Sequence, residues 1–455
     1  MYLERFIVVY QVRPDDPKLV NHPMLDKPNW KSRAVPLMLH GDGVSFTTGG
    51  QNLLAISFSF LLASTGWSEY SIFLITSVCK AARCYKKVHG AGVDTVDTLW
   101  AYIVHGFNAL FAGRHPTHDP WGHDWPAGPQ ADNAGKEIAD GMFFGVVWAL
   151  PQDHEYAVNE TGCRHWNCDD FCTWCNIGKG SMADFSSSGI ERIKAEASSH
   201  RQTPPSNHKI WQITGVTRCM YTGDLMHSGD LGPCLHLHGS TMSDLLNTDG
   251  PYVGAGNADF RCQQLKLDLD TAYDDLKIKK RMNSLTPKQI KGKAGPVLKA
   301  KASESRNLLG PMLHVLQQRD DGSEKRGHQI LAYLNLLKMY QIIMKSGLFL
   351  STSDFESAFK HLNQFVLHYK WLHVNCEGLY YIVPKFHYLL HIMWFGQWLS
   401  PRATWCYAFE DFVGVLKKSA VACSAGTPVY RIPAKLMQNY MLALSVRFKN
   451  KPARL

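Results

Sequence analysis

The chain has 455 residues, of which 45% are hydrophobic and 11% aromatic, and this composition excludes disorder as the default state. Its 12 cysteines are too few for a disulfide-built scaffold of this length, and the formal net charge of +9 is modest. Apolar runs such as residues 53–63 and 72–78 are shorter than the ~20 residues that a spanning helix needs, so we expect no membrane partner.

The first eighty residues predict an antiparallel meander. Apolar runs predict three strands, at residues 34–46, 55–60 and 70–78. The first run is apolar on both faces, as in a buried central strand. The second alternates, which places Ile56, Phe58 and Phe60 on one face and small residues on the other.

A helix and a fourth strand follow. Residues 96–111 predict the helix, with Leu99, Ile103, Phe107 and Leu110 at core spacing. Residues 142–150 predict a strand that ends shortly before Asp153. Three antiparallel strands, a helix and a strand that can pair parallel to the first form the opening order of the RNase H-like fold. We therefore expect an α/β protein with an RNase H-like mixed sheet, in which Asp42 on the first strand and Asp153 are neighbours.

The remaining chain predicts a large, mainly helical insertion, which explains the long gap before the last acid at Glu410. We expect an N-terminal extension at 1–33, the first part of the core at 34–160, a Cys-rich segment with a linker at 161–220, the helical insertion with a basic segment at 221–380, a segment with the HxxxH pair and the glutamate helix at 381–425, and a C-terminal tail at 426–455.

Glu410 lies in a stretch with helical spacing. Its apolar stripe consists of Trp405, Phe409, Phe412, Val413, Leu416 and Ala420. Asp411 points away from this stripe, whereas Glu410 falls on its border, where a carboxylate can reach a cleft while the helix packs on a sheet. On its own such a glutamate is most often a solvated flank. Together with Asp42 and Asp153, it is a candidate ligand for Mg²⁺ or Mn²⁺, since hard cations prefer oxygen.

Two pairs of residues have the spacing of zinc ligands. Cys172 and Cys175 form a CxxC pair, which can supply two corners of a tetrahedral zinc site. His387 and His391 form an HxxxH pair, and the i,i+4 spacing places both imidazoles on one face of a helix. Either pair alone could occur by chance. A thioredoxin-type CxxC is disfavoured because the βαβ context is missing.

A loop rich in histidine and aspartate offers an alternative metal site. His115, His118, Asp119, His123 and Asp124 supply enough ligands for a metal hydrolase. The simpler interpretation, which we favour, is a polar connection with turn-forming prolines.

Asp224, His227 and Asp230 are secondary candidates at the start of the helical region. They could supply a further acid, or cap a helix.

Residues 277–301 contain nine lysines or arginines and no acid. This pattern predicts either a solvated helical face or a surface that contacts DNA phosphates. The candidate DNA-binding residues are Lys277, Lys279, Lys280, Arg281, Lys288, Lys291 and Lys293. No aromatic residues are interleaved with these cations, which favours contact with the DNA backbone over stacking on single strands.

Six elements, taken in chain order, resemble the catalytic region of CACTA (En/Spm) and Plavaka-like DDE transposases. These are residues 39–44, the strand that closes at Asp153, and residues 166–175, 222–232, 384–391 and 405–410. Single elements are weak signals, but their common order is more specific. The likeness covers most of the chain, from about residue 34 to 425.

The resemblance implies an RNase H-like core with a helical insertion, in which two aspartates and a glutamate bind catalytic Mg²⁺ or Mn²⁺. Carried over by position, these acids are Asp42, Asp153 and Glu410. It also implies that the CxxC and HxxxH pairs act together. The implied partners are DNA and further copies of the same protein on DNA, in the nucleus.

Our leading hypothesis is therefore a DNA transposase catalytic domain, or a protein derived from one, that cleaves phosphodiesters and transfers strands with metal ions. A catalytically inactive DNA-binding or assembly protein of the same fold is the first alternative. A metal-dependent hydrolase that uses the His115 to Asp124 cluster is the second.

Overall fold

The computed structural model of the chain describes residues 15–47, 50–63, 71–84, 94–199, 204–247, 250–252, 254, 256–293 and 295–450. Residues 1–14 of the expected N-terminal extension lie outside the described residues, as does Tyr70, where we expected the third strand run to begin.

The chain divides into two compact units, each assembled from separate segments. The first unit takes residues 1–163, 201–222 and 406–455, and the second takes residues 164–200 and 223–405. The division at 405/406 falls inside the expected 381–425 segment, so the HxxxH pair belongs to the second unit and Glu410 to the first. The expected Cys-rich segment at 161–220 is likewise shared between the two units.

A four-stranded mixed sheet forms the centre of the first unit. Its strands are β1 (Ala34–Ser45), β2 (Asn52–Phe60), β3 (Ile72–Cys79) and β4 (Phe144–Ala149). The strand order is β3-β2-β1-β4. β2 pairs antiparallel with both β1 and β3, while β4 pairs parallel to β1, with Leu37 opposite Val147. The predicted mixed sheet, with three antiparallel strands and one parallel strand, is confirmed.

β2 has the expected faces, with Ile56, Phe58 and Phe60 on one and small residues on the other. Burial does not follow this alternation, since Ile56, Ser57 and Ser59 are each at most 3% exposed, whereas Phe60 is 39% exposed. The alternation in this strand is one of side-chain size, not of burial. Small side chains suit a face on which other elements pack closely.

The helices of the first unit are α1 (Trp30–Arg33), α2 (Thr95–Ala112), α3 (Pro129–Asn133), α4 (His154–Thr161), α13 (Tyr407–Ser424) and α14 (Ile432–Asn450). Helix α2 begins where Asp94 accepts hydrogen bonds from the first free backbone N–H groups. It buries Trp100, Ile103 and Phe107, but the predicted core residues Leu99 and Leu110 are only half-buried. The predicted helix is present, and its buried stripe is rotated toward Trp100.

Helices α13 and α14 cover one face of the sheet. Cys79 of β3 packs in one core cluster with Ala420 and Cys423 of α13 and with Leu436 of α14. The Tyr440 hydroxyl also accepts a hydrogen bond from the backbone N–H of Leu74, at 3.1 Å. The segment 426–455, which we expected to be a tail, thus contains a helix that is anchored to the sheet.

The predicted stripe on the Glu410 helix is largely as expected. Phe409, Phe412, Val413, Leu416 and Ala420 are all buried on α13. Trp405 is the exception, because the helix begins only at Tyr407.

The second unit is mainly helical. Its helices are α5 (Ser187–Ser199), α6 (Pro233–Leu245), α7 (Ala258–Asp275), α8 (Ala302–Asn307), α9 (Leu309–Gln318), α10 (Glu324–Lys345), α11 (Thr352–Asn375) and α12 (Pro384–Phe395), with a π-helical turn at Met226–Asp230. Helices α10 and α11 pack along each other and bury Tyr333 and Tyr369 completely. In the described part of the chain, no helix is both long enough and apolar enough to cross a membrane.

Candidate functional site

Asp42 lies on β1, next to a glycine that leaves room for a neighbouring ring. The Asp42 side chain is half-buried, and its Oδ1 accepts a hydrogen bond from the backbone N–H of Gly43 at 2.6 Å. A Cβ atom added to Gly41 would lie 2.7 Å from Cε2 of Tyr156, and closer still to its Cζ and hydroxyl oxygen. Glycine at position 41 therefore allows the Tyr156 ring to cross β1 beside the first acid.

Asp153 caps helix α4, four residues after the end of β4 at Ala149. Its Oδ1 accepts a hydrogen bond from the backbone N–H of Tyr156 at 2.5 Å. The cap therefore fixes the position of Asp153 at the carboxyl end of β4, and it places Tyr156 on the first turn of α4.

The two aspartates line one cavity of about 250 Å³ in the first unit. Lys80, Arg83 and Tyr156 contribute to the same wall, so the cavity carries both acidic and basic groups. The Tyr156 hydroxyl is buried and has no hydrogen-bond partner among the described residues. Burial, followed by the charges of Glu160 and Asp42, raises the pKa of Tyr156 well above its ordinary value. The phenol therefore stays protonated and can act only as a hydrogen-bond donor or acceptor.

Glu410 reaches this region on helix α13, which packs against β1. The contact includes Phe409, whose ring stacks on His40 with 4.3 Å between centroids and 16° between planes. His40 precedes Asp42 by two residues on the strand, so both side chains leave β1 on the same face. Glu410 is half-buried on the first turn of α13.

The three acids do not form a tight cluster. Among the described residues, they are not one of the groups whose ligand atoms all lie within 4.8 Å of one another. Asp42 and Asp153 share a cavity, and Glu410 is not part of its lining. Two ions ~3.5–4 Å apart occupy more space than one ion, so their ligands are spread more widely than the ligands of a single ion. The wider spacing of the three acids is compatible with a two-ion site.

The four predicted zinc-type ligands come together in the second unit. The ligand atoms of Cys172, Cys175, His387 and His391 all lie within 4.8 Å of one another, and each residue is at most 1% exposed. Nε2 of His387 is 3.2 Å from Sγ of Cys175 and 3.0 Å from Nε2 of His391. This buried Cys₂His₂ cluster can bind a metal such as zinc.

The loop that carries the two cysteines is braced by Arg164. One guanidinium nitrogen donates to the carbonyl oxygens of Cys172 and Cys175, each at 3.3 Å. Phe171 and Trp174 pack their rings against the two histidines, with centroid distances of 5.0 and 5.4 Å. The ligand atoms are therefore held in place and shielded from water.

The electrostatics of the cluster favour one thiolate. A hydrogen bond from Cys172, supported by the two histidines, lowers the pKa of Cys175, whereas burial raises the pKa of Cys172. Burial also lowers the pKa of His387, which keeps its imidazole neutral. A thiolate at Cys175 beside a neutral imidazole at His387 supplies two of the donors that zinc requires.

The geometry of the cluster fits a tetrahedral ion. Bonds of about 2.0–2.3 Å place neighbouring donors roughly 3.3–3.8 Å apart. The separations of 3.0 and 3.2 Å are slightly shorter, as expected for donors that hydrogen-bond to each other. The Nε2 atoms of His387 and His391 face the cluster, and their buried Nδ1 atoms have no partner in the described part of the chain. Both histidines would therefore bind through Nε2.

The His115 to Asp124 loop is organised as separate pairs. His118 Nδ1 is 3.0 Å from Asp124 Oδ1, and His123 Nδ1 is 3.0 Å from Asp119 Oδ2. The side chain of His118 is 52% exposed and that of His123 is 76% exposed. Within the described residues, the loop gathers no three ligands within 4.8 Å. This arrangement matches that of a polar connection.

The secondary candidates lie in the second unit. The Asp224 carboxylate accepts hydrogen bonds from the backbone N–H groups of Met226 and His227, and lies 2.6 Å from His227 Nδ1. Asp230 forms an ion pair with Arg306 at 3.2 Å. Asp224 thus closes the start of the π-helical turn, and the half-buried Arg306 neutralises the buried Asp230.

The basic segment is not helical. Apart from the short 3₁₀ turn Pro287–Gln289, residues 277–301 are irregular, so the expected helical face is absent from this part of the described chain. Met282, Leu285 and Ile290 anchor the segment in the core, and every lysine in it is exposed. Arg281 is the exception among the cations, because it pairs with Asp274 at 2.6 Å.

Several features of these sites have no signature in the sequence. Gly41 and Tyr156 are more than a hundred residues apart, and only the fold brings them into contact. The stacking of Phe409 on His40 also joins distant segments. The one local signal for the position of Tyr156 is its place in the sequence, three residues after Asp153, which caps helix α4.

Comparison with known proteins adds no assignment, since no protein-family model matches the sequence and no curated protein matches it.

Proposed function

We propose that this chain is the catalytic region of a DNA transposase, or a protein derived from one, with an RNase H-like core. The observation that carries the proposal is the parallel pairing of β1 and β4, which brings Asp42 and Asp153 to one cavity. Helix α13 packs on β1 and carries Glu410, which supports its role as the third acid.

In this proposal the three acids hold two Mg²⁺ or Mn²⁺ ions. Ions bound there would activate water and then a DNA 3′-hydroxyl for in-line attack on a phosphodiester, and would stabilise the leaving oxygen. Asp42 is held by the strand, and Asp153 by its hydrogen bond at the start of α4. Lys80 on the wall of the cavity is suited to a phosphate group, since it supplies positive charge, whereas Arg83 is paired with Glu160 at 3.0 Å.

The Cys172, Cys175, His387 and His391 cluster has a structural role in this proposal. A zinc ion bound there would fasten the cysteine loop to helix α12, and both lie in the second unit. Closed sites of this kind contribute directly to folding.

Metal-dependent nicking of supercoiled DNA tests the catalytic proposal. We expect purified protein to nick DNA with Mg²⁺ or Mn²⁺, and expect Asp42→Asn, Asp153→Asn and Glu410→Gln each to abolish nicking. Asp411→Asn is the matched control, because Asp411 is exposed and adjacent to Glu410 on the same helix. If all four variants nick as well as the wild type, the acids are not catalytic. If wild-type protein binds DNA without nicking it, the silent DNA-binding alternative is correct.

The exposed lysines of the basic segment support DNA as the partner. Each phosphate contact contributes roughly 0.9 to the slope of log affinity against log salt, so losing three contacts reduces the slope by about 2.7. The test variant replaces three exposed lysines of the segment with alanine: Lys288, Lys291 and Lys293. The control replaces three exposed lysines on α10 and α11: Lys338, Lys345 and Lys360. An equal change in slope for both variants would show that the basic segment contributes no more to DNA binding than other exposed lysines do.

A further inference from the structure

The second unit contains a cavity of about 410 Å³ that the proposed DNA chemistry does not use. Its walls come from α5, α11 and α12. Its size falls within the range of ~300–1,000 Å³ that is typical of small-ligand sites. The cavity therefore has room for a ligand group, and its lining shows which kind of group it suits.

Three aromatic rings form one side of the cavity. They belong to Phe355, Phe359 and Trp394, and we refer to them as the aromatic cage. The ring centroids of Phe355 and Phe359 are 5.7 Å apart, and both lie close to Trp394, at 6.2 and 6.1 Å. The three rings thus pack against one another on one wall of the cavity. The faces of aromatic rings are electron-rich, so a wall of this kind attracts cations.

A cation of the protein itself already lies against this cage. The Lys194 ammonium is 4.9 Å from the Phe359 centroid and 5.0 Å from the Trp394 centroid. Both distances are within the ~6 Å reach of a cation–π contact. The Lys194 ammonium also lies 2.6 Å from the Glu191 carboxylate. The intramolecular contact shows that the cage accepts an ammonium group.

A ligand that enters the cage has to displace the Lys194 side chain, which is 20% exposed. Lys194 is one flexible side chain on α5, and its charge is balanced by Glu191 on the same helix. The other charged residues of the cavity lining are Glu356 and Lys360, one acid and one base. The cavity therefore attracts a cation through its ring faces and not through the net charge of its wall.

We propose that the aromatic cage binds the methylated ammonium group of a lysine side chain on a partner protein, which displaces Lys194. A quaternary ammonium has no N–H group to satisfy and is weakly hydrated, so aromatic faces suit it better than they suit an ordinary lysine. An unmethylated lysine needs a hydrogen-bond acceptor, and Glu191 serves Lys194 in this way.

Titration with tetramethylammonium and with Nε-trimethyllysine, followed by saturation-transfer NMR, tests the proposal on the full chain. We expect saturation transfer to the methyl groups of both compounds and a weaker signal for unmodified lysine. Lys194→Gln removes the competing cation, so it should tighten binding by roughly 5- to 30-fold, as for a cation–π contact of ~1–2 kcal/mol. Trp394→Leu and Phe359→Leu keep apolar bulk but remove a ring face, and each should weaken binding by a similar factor.

Trp405→Leu is the matched control, since Arg306 lies over Trp405 in a cation–π contact at 5.1 Å and Trp405 is not part of the cavity lining. This variant should bind tetramethylammonium like the wild type. The proposal is overturned if wild type and Lys194→Gln both fail to bind, if Lys194→Gln binds no better than wild type, or if Trp405→Leu loses as much affinity as Trp394→Leu. Circular dichroism of Lys194→Gln checks that the variant is folded, because the Lys194 side chain is only 20% exposed.

Discussion

Replacing Gly41 with alanine tests directly whether this glycine, next to the first acid, makes room for the Tyr156 ring. The added methyl group would overlap the Tyr156 ring, whose residue is only 5% exposed and has little space to move. Gly43 lies on the same strand, two residues further on, and nothing is within 4 Å of a Cβ atom added there. The same chemical change therefore meets a filled space at one position and an open space at the other.

The two substitutions should change the free energy of unfolding in different directions. Overpacking a filled site costs typically 1–3 kcal/mol, so Gly41→Ala should lower the free energy of unfolding by about that amount. Gly43→Ala should be neutral or should stabilise by up to ~1 kcal/mol, because alanine reduces the conformational freedom of the unfolded chain. Equilibrium urea unfolding, followed by circular dichroism, measures both changes.

A double-mutant cycle assigns the cost to the Tyr156 ring. Tyr156→Ala empties the space that the new methyl group enters, so Gly41→Ala should cost close to nothing in that background. The interaction energy between the two sites should then be about 1–3 kcal/mol. Additive effects, or equal effects of Gly41→Ala and Gly43→Ala, would refute the claim that Gly41 makes room for Tyr156.

Two further predictions concern metal and pH. Purified protein should contain about one zinc per chain; Cys172→Ser should remove it and lower the melting temperature, whereas Cys168→Ser, an exposed cysteine nearby, should do neither. His238 is fully buried, and burial lowers its pKa to about 4. The unfolded chain, with a pKa near 6.5, therefore takes up the proton first as the pH falls. Stability should be unaffected by this group above pH 6.5 and decrease by up to ~3 kcal/mol between pH 6.5 and 4. His238→Gln should reduce proton uptake on unfolding near pH 5 by about one, and an unchanged uptake would contradict the assignment.

The sheet and the metal-type cluster could be predicted because their signals are local. Strands β1 to β4 have apolar runs of strand length, and the order of these runs predicts the parallel pairing. The CxxC and HxxxH spacings predict which residues present ligands on one side of a loop or helix. Only the fold, however, could show that the two pairs meet.

The features that the sequence did not predict depend on packing between distant segments. The contact of Tyr156 with Gly41 leaves no pattern in either segment, because it depends on where α4 lies against β1. The basic segment was misjudged as a possible helix, although Pro287, Gly292 and Gly295 already argued for an irregular chain.

The division of the first unit into three chain segments has a consequence for synthesis on the ribosome. Strand β3 is complete at Cys79, but the Tyr440 hydroxyl that holds it is made about 360 residues later. At elongation rates of ~5–20 residues per second, the helix that covers this face of the sheet is synthesised roughly 20–70 s after β3. The second unit has all its residues by Trp405 and can fold before then. During that time the incomplete sheet has an uncovered face, and it is open to contacts with other chains.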